Sequence, residues 1–89
     1  MKIVMFSGNN CHGCNKLQPI LEDVCNKIGA DLTVLKREEN PVEFGRHNIM
    51  SIPVTMVFKN DKPYWSYTGS ISKAELTSKL VYLKEKLGE

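Results

Sequence analysis

Apolar positions along this chain fall into runs and stripes whose period identifies each element. Residues 2–6 are an almost unbroken apolar run with β-branched Ile3 and Val4, ended by Ser7-Gly8-Asn9-Asn10, the pattern of a strand buried on both faces. From Cys14 onward, apolar residues recur at Leu17, Ile20, Leu21, Val24 and Ile28, one stripe of a helix, and Gly29 ends it. Pro19 removes a backbone donor inside that helix and predicts a local kink. Leu32 to Lys36 predicts a second strand. Strand, helix and strand within about 35 residues require a right-handed crossover, which makes the first two strands parallel neighbours.

Asn40-Pro41 reads as a helix start, with Asn capping and Pro in the first turn, and predicts a short helix over 41–47. Ile49 to Ile52 lead into Pro53, after which Val54-Thr55-Met56-Val57-Phe58 predicts a third strand. Asn60-Asp61-Lys62 is a turn, and Tyr64 to Thr68 a fourth strand paired with the third as a hairpin, with Pro63 tolerable only at a sheet edge. The closing helix is the most plainly written element. Ser72-Lys73-Ala74-Glu75 is a capping box, Ile71 can staple onto Leu76, and Leu76, Leu80, Leu83 and Leu87 form one face. The predicted order is β-α-β-α-β-β-α, an α/β fold with a four-stranded mixed sheet in the order 2-1-3-4 and helices on both faces.

With 89 residues, the chain suits one domain over 1–89. At 42% hydrophobic and 25% charged it is neither disordered nor a disulfide-dense scaffold. Twelve Lys and Arg against ten Asp and Glu leave +2, and no basic run exceeds Lys36-Arg37, so nucleic acid is not an expected partner. No apolar stretch is long enough for a membrane span or a signal peptide, and the expected setting is the cytoplasm, as a monomer. Three cysteines, two of them closely spaced, suit a reactive dithiol better than a secreted framework.

Cys11-His12-Gly13-Cys14 falls between the first strand and the first turn of the first helix, where unpaired N–H groups and the helix dipole favour negative charge. At such helix N-termini a C-x-x-C thiol drops from a pKa of about 8.5 to roughly 3.5–7.5, which supplies a thiolate nucleophile at neutral pH. Cys14 precedes Leu17 by one turn and belongs on the buried stripe, whereas Cys11 is expected to be exposed. Cys11 is therefore read as the attacking thiol and Cys14 as the resolving one, with Gly13 giving the short ring its flexibility.

A metal site drawing on Cys11, Cys14, His12 and His47 lacks the second close-spaced ligand pair that structural zinc requires, so neither a metal nor another cofactor is expected. Two cysteines that merely pack are rarely set at a strand-to-helix junction. Cys25 shares the apolar stripe and reads as a buried small hydrophobe. His12 either tunes the dithiol through its charge or is a solvated loop residue, and spacing does not choose. His47 reads as a surface residue near a helix C-terminus, and Tyr64-Trp65-Ser66-Tyr67 as packing on an edge strand.

The same residues resemble the thioredoxin family over nearly the whole chain: the C-x-x-C after the first strand, Pro19 five residues beyond its second cysteine, Leu32-Thr33-Val34, Ser51-Ile52-Pro53-Val54-Thr55, Phe58-Lys59-Asn60 and Gly69-Ser70-Ile71-Ser72-Lys73. The resemblance implies a protein-disulfide reductase. It implies a cis Pro53 beside the dithiol, a target strand pairing with the backbone of Ile52, and a docking surface formed by Gly8, His12, Ile52 and Gly69. It also implies disulfide-containing proteins as substrates, ribonucleotide reductase among them, and thioredoxin reductase or glutathione as electron donor.

Three departures from the family pattern stand out. The sequence opens at the dithiol strand, which resembles the minimal form of the fold and the size of a glutaredoxin. The dithiol loop lacks the usual Trp before the first cysteine and the usual Pro before the second, a change that bears on the potential. Met5 stands where the family carries a buried acid, so the Cys14 proton needs another route, through water or through Lys36, which resembles the family's lysine on the adjacent strand. A glutaredoxin is the alternative, but Thr68-Gly69-Ser70-Ile71 lacks the Gly-Gly and following acids that bind glutathione. A redox-inactive interaction module using the same groove is the alternative of another class, and retention of both cysteines argues against it.

Overall fold

The computed structural model describes residues 1–89 as seven elements: β1 (Lys2–Ser7), α1 (His12–Ile28), β2 (Asp31–Lys36), α2 (Pro41–Arg46), β3 (Val54–Lys59), β4 (Lys62–Thr68) and α3 (Lys73–Lys86). The sheet order is β2-β1-β3-β4, with β1 and β2 parallel and the other pairs antiparallel, as the hydrophobic pattern predicts. β1 is central and buried from Ile3 to Ser7 because each face of it meets a separate core.

Alternation along β1 and β3 sorts the side chains between those cores. Ile3, Met5 and Val57 face Leu17, Leu21 and Val24 of α1 and Leu76, Leu80 and Leu83 of α3. Val4, Phe6, Val54, Met56 and Phe58 face the other way, where Phe44 of the short α2 covers them. Cys14 and Cys25 both belong to the first core, at 1% and 2% exposure.

The ends of the elements follow local chemistry. Gly29 adopts a left-handed conformation (φ 72°) and closes α1, while the Ser72 side chain caps α3 by accepting from the Glu75 N–H. Asn60 and Asp61 both have positive φ, 51° and 64°, the geometry of a two-residue hairpin turn whose twist matches the strands. Pro63 lies on edge strand β4 opposite Phe58, where the register shifts between Val57 and Phe58, so its missing N–H interrupts no regular ladder.

α1 runs through Pro19 from His12 to Ile28 as one helix. Two local expectations are corrected. The Asn40 side chain does not cap α2; its Nδ2 donates back to the Lys36 carbonyl at 3.0 Å, tying the loop to the end of β2. His47 is not a surface residue: its side chain is 15% exposed and its ring stands edge-on to Phe6 and Phe58 at 5.7 and 5.6 Å. It follows Phe44 by three positions, so one turn of α2 sets both rings on the sheet.

Candidate active site

The site begins where β1 ends. The loop after it is held from the neighbouring strand: the parallel register that sets Ser7 opposite Lys36 carries on, so Asn9 meets Lys36 and Glu38. Lys36 Nζ donates to Asn9 Oδ1 at 3.3 Å, and the Asn9 N–H donates to Glu38 Oε1 at 3.1 Å. Hydrogen bonds from the Glu38 and Asn9 backbone N–H groups hold the Glu38 carboxyl below the usual range. Asn9 and Glu38 were not legible as site residues in the sequence; the strand register was the signal that could have found them.

Asn10 then turns the chain with φ 54°, and Cys11 takes the N-cap of α1 in extended conformation. Its sulfur accepts the Cys14 backbone N–H at 3.1 Å, the position an Asp or Ser oxygen holds in an ordinary cap. The first turn of α1 contains no acidic residue, so the positive end of the helix dipole acts on this sulfur alone. Cys11 and Cys14 form a disulfide with Cα atoms 5.2 Å apart. Cys11 is half-buried against the edge of the first core, not exposed as expected, whereas Cys14 sits within that core at 1% exposure.

His12 is exposed at the first residue of α1. Gly13 stands at a close approach between two segments. A Cβ at this position would stand 3.2 Å from Ser70 Oγ and 3.4 Å from Pro53 Cδ, so glycine here lets the dithiol turn approach the Pro53 loop. The Ile52–Pro53 peptide bond is cis, and the Pro53 carbonyl accepts the Gly69 N–H at 2.8 Å, which locks the loop before β3 to the end of β4. Gly69 has φ 103°, a conformation that side chains avoid, with open space where its Cβ would be.

Gly8 is not exposed. It is buried beneath Ile52, whose Cδ1 would lie 2.7 Å from a Cβ at position 8, so Gly8 shapes the floor under Ile52 and does not itself face outward. Lys36 is exposed with its amine on Asn9, which makes it a tether of the β1–α1 loop. Cys25, three turns further along α1, is the free cysteine, and burial pushes its thiol up to about 11. The structure brings Cys11, Gly13, Cys14, Pro53 and Ser70 together and carries Ile52 and Gly69 on the two segments that flank them. No group of three or more His, Cys, Asp or Glu side chains gathers anywhere in the chain as a metal site would require.

This arrangement has known counterparts. The thioredoxin family model matches residues 1–82. The chain is 34% identical over 85 residues to thioredoxin of Buchnera aphidicola subsp. Baizongia pistaciae, covering 92% of this chain and 78% of that one. It is 32% identical over 82 residues to thioredoxin of Staphylococcus epidermidis, covering 90% and 79%. The structure of thioredoxin 1 from Thermosipho africanus superposes with a TM-score of 0.88 over the full length of both chains at 18% identity, a likeness of fold. The chain belongs to the thioredoxin family. Its Cys11–Cys14 pair makes it a thiol-disulfide oxidoreductase, and the comparisons give the glutaredoxin alternative no better support. No helix is long and apolar enough to cross a membrane.

Proposed function

We propose that the protein reduces disulfides in other proteins, with Cys11 attacking and Cys14 resolving. The observation that carries this reading is the asymmetry of the pair: Cys11 caps α1, half-buried, and accepts the Cys14 N–H, while Cys14 lies fully within the core. A Cys11 thiolate so stabilised attacks one sulfur of the target disulfide, forming a mixed disulfide and expelling the other target sulfur as thiolate. Cys14 then attacks Cys11, releasing the second target sulfur and closing the Cys11–Cys14 bridge.

Docking is proposed over Ile52 and Pro53, with an extended target strand pairing to the Ile52 backbone and passing Gly69, where the absence of a side chain leaves room. His12 borders this surface, Gly13 keeps Pro53 close, and Gly8 supports Ile52 from below. The reading takes the protein as a cytoplasmic monomer without nucleic-acid or membrane partners. Its electrons come from a thioredoxin reductase or glutathione, and ribonucleotide reductase is a candidate target. The test is single-turnover reduction of insulin disulfides with thiol trapping: wild type consumes one dithiol per disulfide, Cys14→Ser accumulates an adduct at Cys11, and Cys11→Ser does neither. An insulin disulfide left intact by the fully reduced wild type would reject the reading and favour an interaction module.

A further inference from the structure

Two polar side chains in the whole chain are buried, Ser7 and Thr55. Thr55 is 0% exposed, and its Oγ1 has no hydrogen-bond partner. Asp23 Oδ2, also enclosed, is held by Lys27 and Lys73, which leaves the Thr55 hydroxyl as the unexplained group. Buried polar atoms are almost always paired, and an exception in a native fold has a cause.

Its position supplies one. Thr55 lies directly opposite Met5 on the antiparallel β1–β3 pair, so both side chains point to the same face with Cβ atoms about 5 Å apart. Met5 packs in the core that contains Cys14. Thr55 also follows Pro53 by two residues, and Pro53 is the residue that Gly13 approaches beside the dithiol. The hydroxyl thus lies on the sheet face covered by the core that holds Cys14, two residues from the proline beside the dithiol. We propose that Thr55 is the hydrogen-bond donor to the Cys14 sulfur in the reduced protein and the mixed disulfide, directly or through one water, and that it eases loss of the Cys14 proton during resolution.

The proposal rests on Cys14 as the resolving thiol. In that step Cys14 gives up its proton and its sulfur attacks Cys11. The Cys14–Cys11 bond forms as the Cys11–target bond breaks, the electron pair leaves on the target sulfur, and that sulfur takes up a proton. The target is reduced and the dithiol oxidised, with no other reactant. A thiolate at Cys14 would otherwise be stranded among Met5, Leu17 and the other apolar side chains of this core, where an unpaired charge is costly. The groups around it are few. On α1, His12 and Lys16 are exposed and Cys25 is a raised, neutral thiol; Lys36 of β2 is on Asn9; β1 adds the Ser7 hydroxyl; β4 sets the partly exposed Tyr67 directly opposite Thr55; Lys59, at the far end of β3, is held by the Leu87 carbonyl and Glu89; and α3 contributes Leu76, Leu80 and Leu83 to this core. Thr55 is too weak an acid and base to take the proton itself. Its part is to stabilise the sulfur while the proton is in transit.

The experiment uses full-length protein carrying a mixed disulfide of Cys11 with 2-mercaptoethanol, formed and held at acid pH. A jump to higher pH starts resolution, and acid quenching with mass spectrometry follows release of the small thiol. Thr55→Val, which keeps the shape and deletes the hydroxyl, should resolve about tenfold more slowly at neutral pH, and its rate profile should shift upward by about one pH unit. Thr55→Ser should restore the wild-type profile, Ser7→Ala should leave it in place, and attack by Cys11 on a fresh disulfide should be unchanged in all three. Thr55→Ala repeats the test with a smaller side chain. A Thr55→Val profile that superimposes on wild type, a Ser variant that behaves like Val, or an equal shift in Ser7→Ala overturns the proposal. Cys14→Ser run in parallel keeps the premise separate: failure to hold the adduct there rejects Cys14 as the resolving thiol, whatever the Thr55 variants do.

Discussion

The Cys14 N–H donates to the Cys11 sulfur at 3.1 Å, so one cysteine of the pair caps the helix on which the other is buried. In the reduced protein that bond and the helix terminus favour a Cys11 thiolate, whereas the Cys14 sulfur is enclosed. Iodoacetamide at neutral pH should label Cys11 at least tenfold faster than Cys14, and the labelled position can be read by peptide mass spectrometry. Equal labelling of the two would remove the basis for assigning them different roles.

Gly13 and Gly8 should separate stability from exchange. At Gly13 an alanine meets Ser70 Oγ and Pro53 Cδ at 3.2 and 3.4 Å, yet it gains roughly 0.5–1 kcal/mol from replacing glycine in a helix. Gly13→Ala should therefore melt within a few degrees of wild type while losing exchange rate with protein disulfides, and Gly13→Val should lose more. Gly8→Ala displaces the tip of Ile52, a flexible end, so it should cost little stability and raise KM for a protein substrate more than it lowers kcat. Turnover of a small aromatic disulfide, which needs no docking strand, is the control expected to stay near wild type.

Cys25 should be silent in exchange and visible in stability. At 2% exposure, with its thiol pushed up to about 11, it stays neutral and unreactive at physiological pH. Cys25→Ala should leave the rate and the redox equilibrium unchanged and cost about 1–2 kcal/mol in a denaturant titration, from the small cavity it leaves. A Cys25→Ala protein with an altered redox equilibrium would show a third redox thiol.

Stability should be level through neutral pH and fall on both sides. Asp23 is lowered chiefly by the Lys73 hydrogen bond and then by Lys27, Glu38 by backbone N–H groups, and Glu89 by the N-terminal amine and Lys59. A lowered carboxyl stabilises the fold above its unfolded value, 3.8 for Asp23 and 4.5 for the two Glu, and that stability is lost as pH falls below those values. On the basic side, Cys25 begins to destabilise above its ordinary 9.0, because the unfolded thiol ionises first, and the raised Lys73 and Lys86 follow above 10.5. Thermal melts across pH at two salt concentrations check this. Salt should shrink the acid-side loss, which comes from exposed charges, and leave the Cys25 effect in place.

Thr55→Val should also raise the melting temperature of the disulfide form. Deleting a buried hydroxyl without a partner removes a cost of about 1–3 kcal/mol, and each 1 kcal/mol is roughly 4–8 °C in a domain of this size. A lower melting temperature would mean that the hydroxyl is already paired in the oxidised protein.

The fold was legible because its signals are local. Apolar runs over 2–6 and 54–58, the stripe from Leu17 to Ile28, and the Ser72–Glu75 capping box each act within one element, and the crossover rule then leaves few ways to order the strands. The dithiol was legible for the same reason, since four consecutive residues carry it. What escaped depends on contacts between distant segments. Gly8 reads as a loop residue until Ile52 is known to lie on it, and Gly13 as a flexible one until Pro53 and Ser70 close in. Asn9 and Glu38 need the β1–β2 register, and His47 needs the turn of α2 that puts it between Phe6 and Phe58. Asn40 carries a cap signal, but its amide is drawn instead to the Lys36 carbonyl.

The most direct test of the central claim is the equilibrium of the Cys11–Cys14 pair, measured by poising the protein in dithiothreitol and glutathione buffers and trapping the thiols. A reductase of protein disulfides should form the bridge reversibly with a potential near the thioredoxin value of about −270 mV. A potential at or above the glutaredoxin range of about −200 to −230 mV, or a pair that never closes reversibly, would contradict the account.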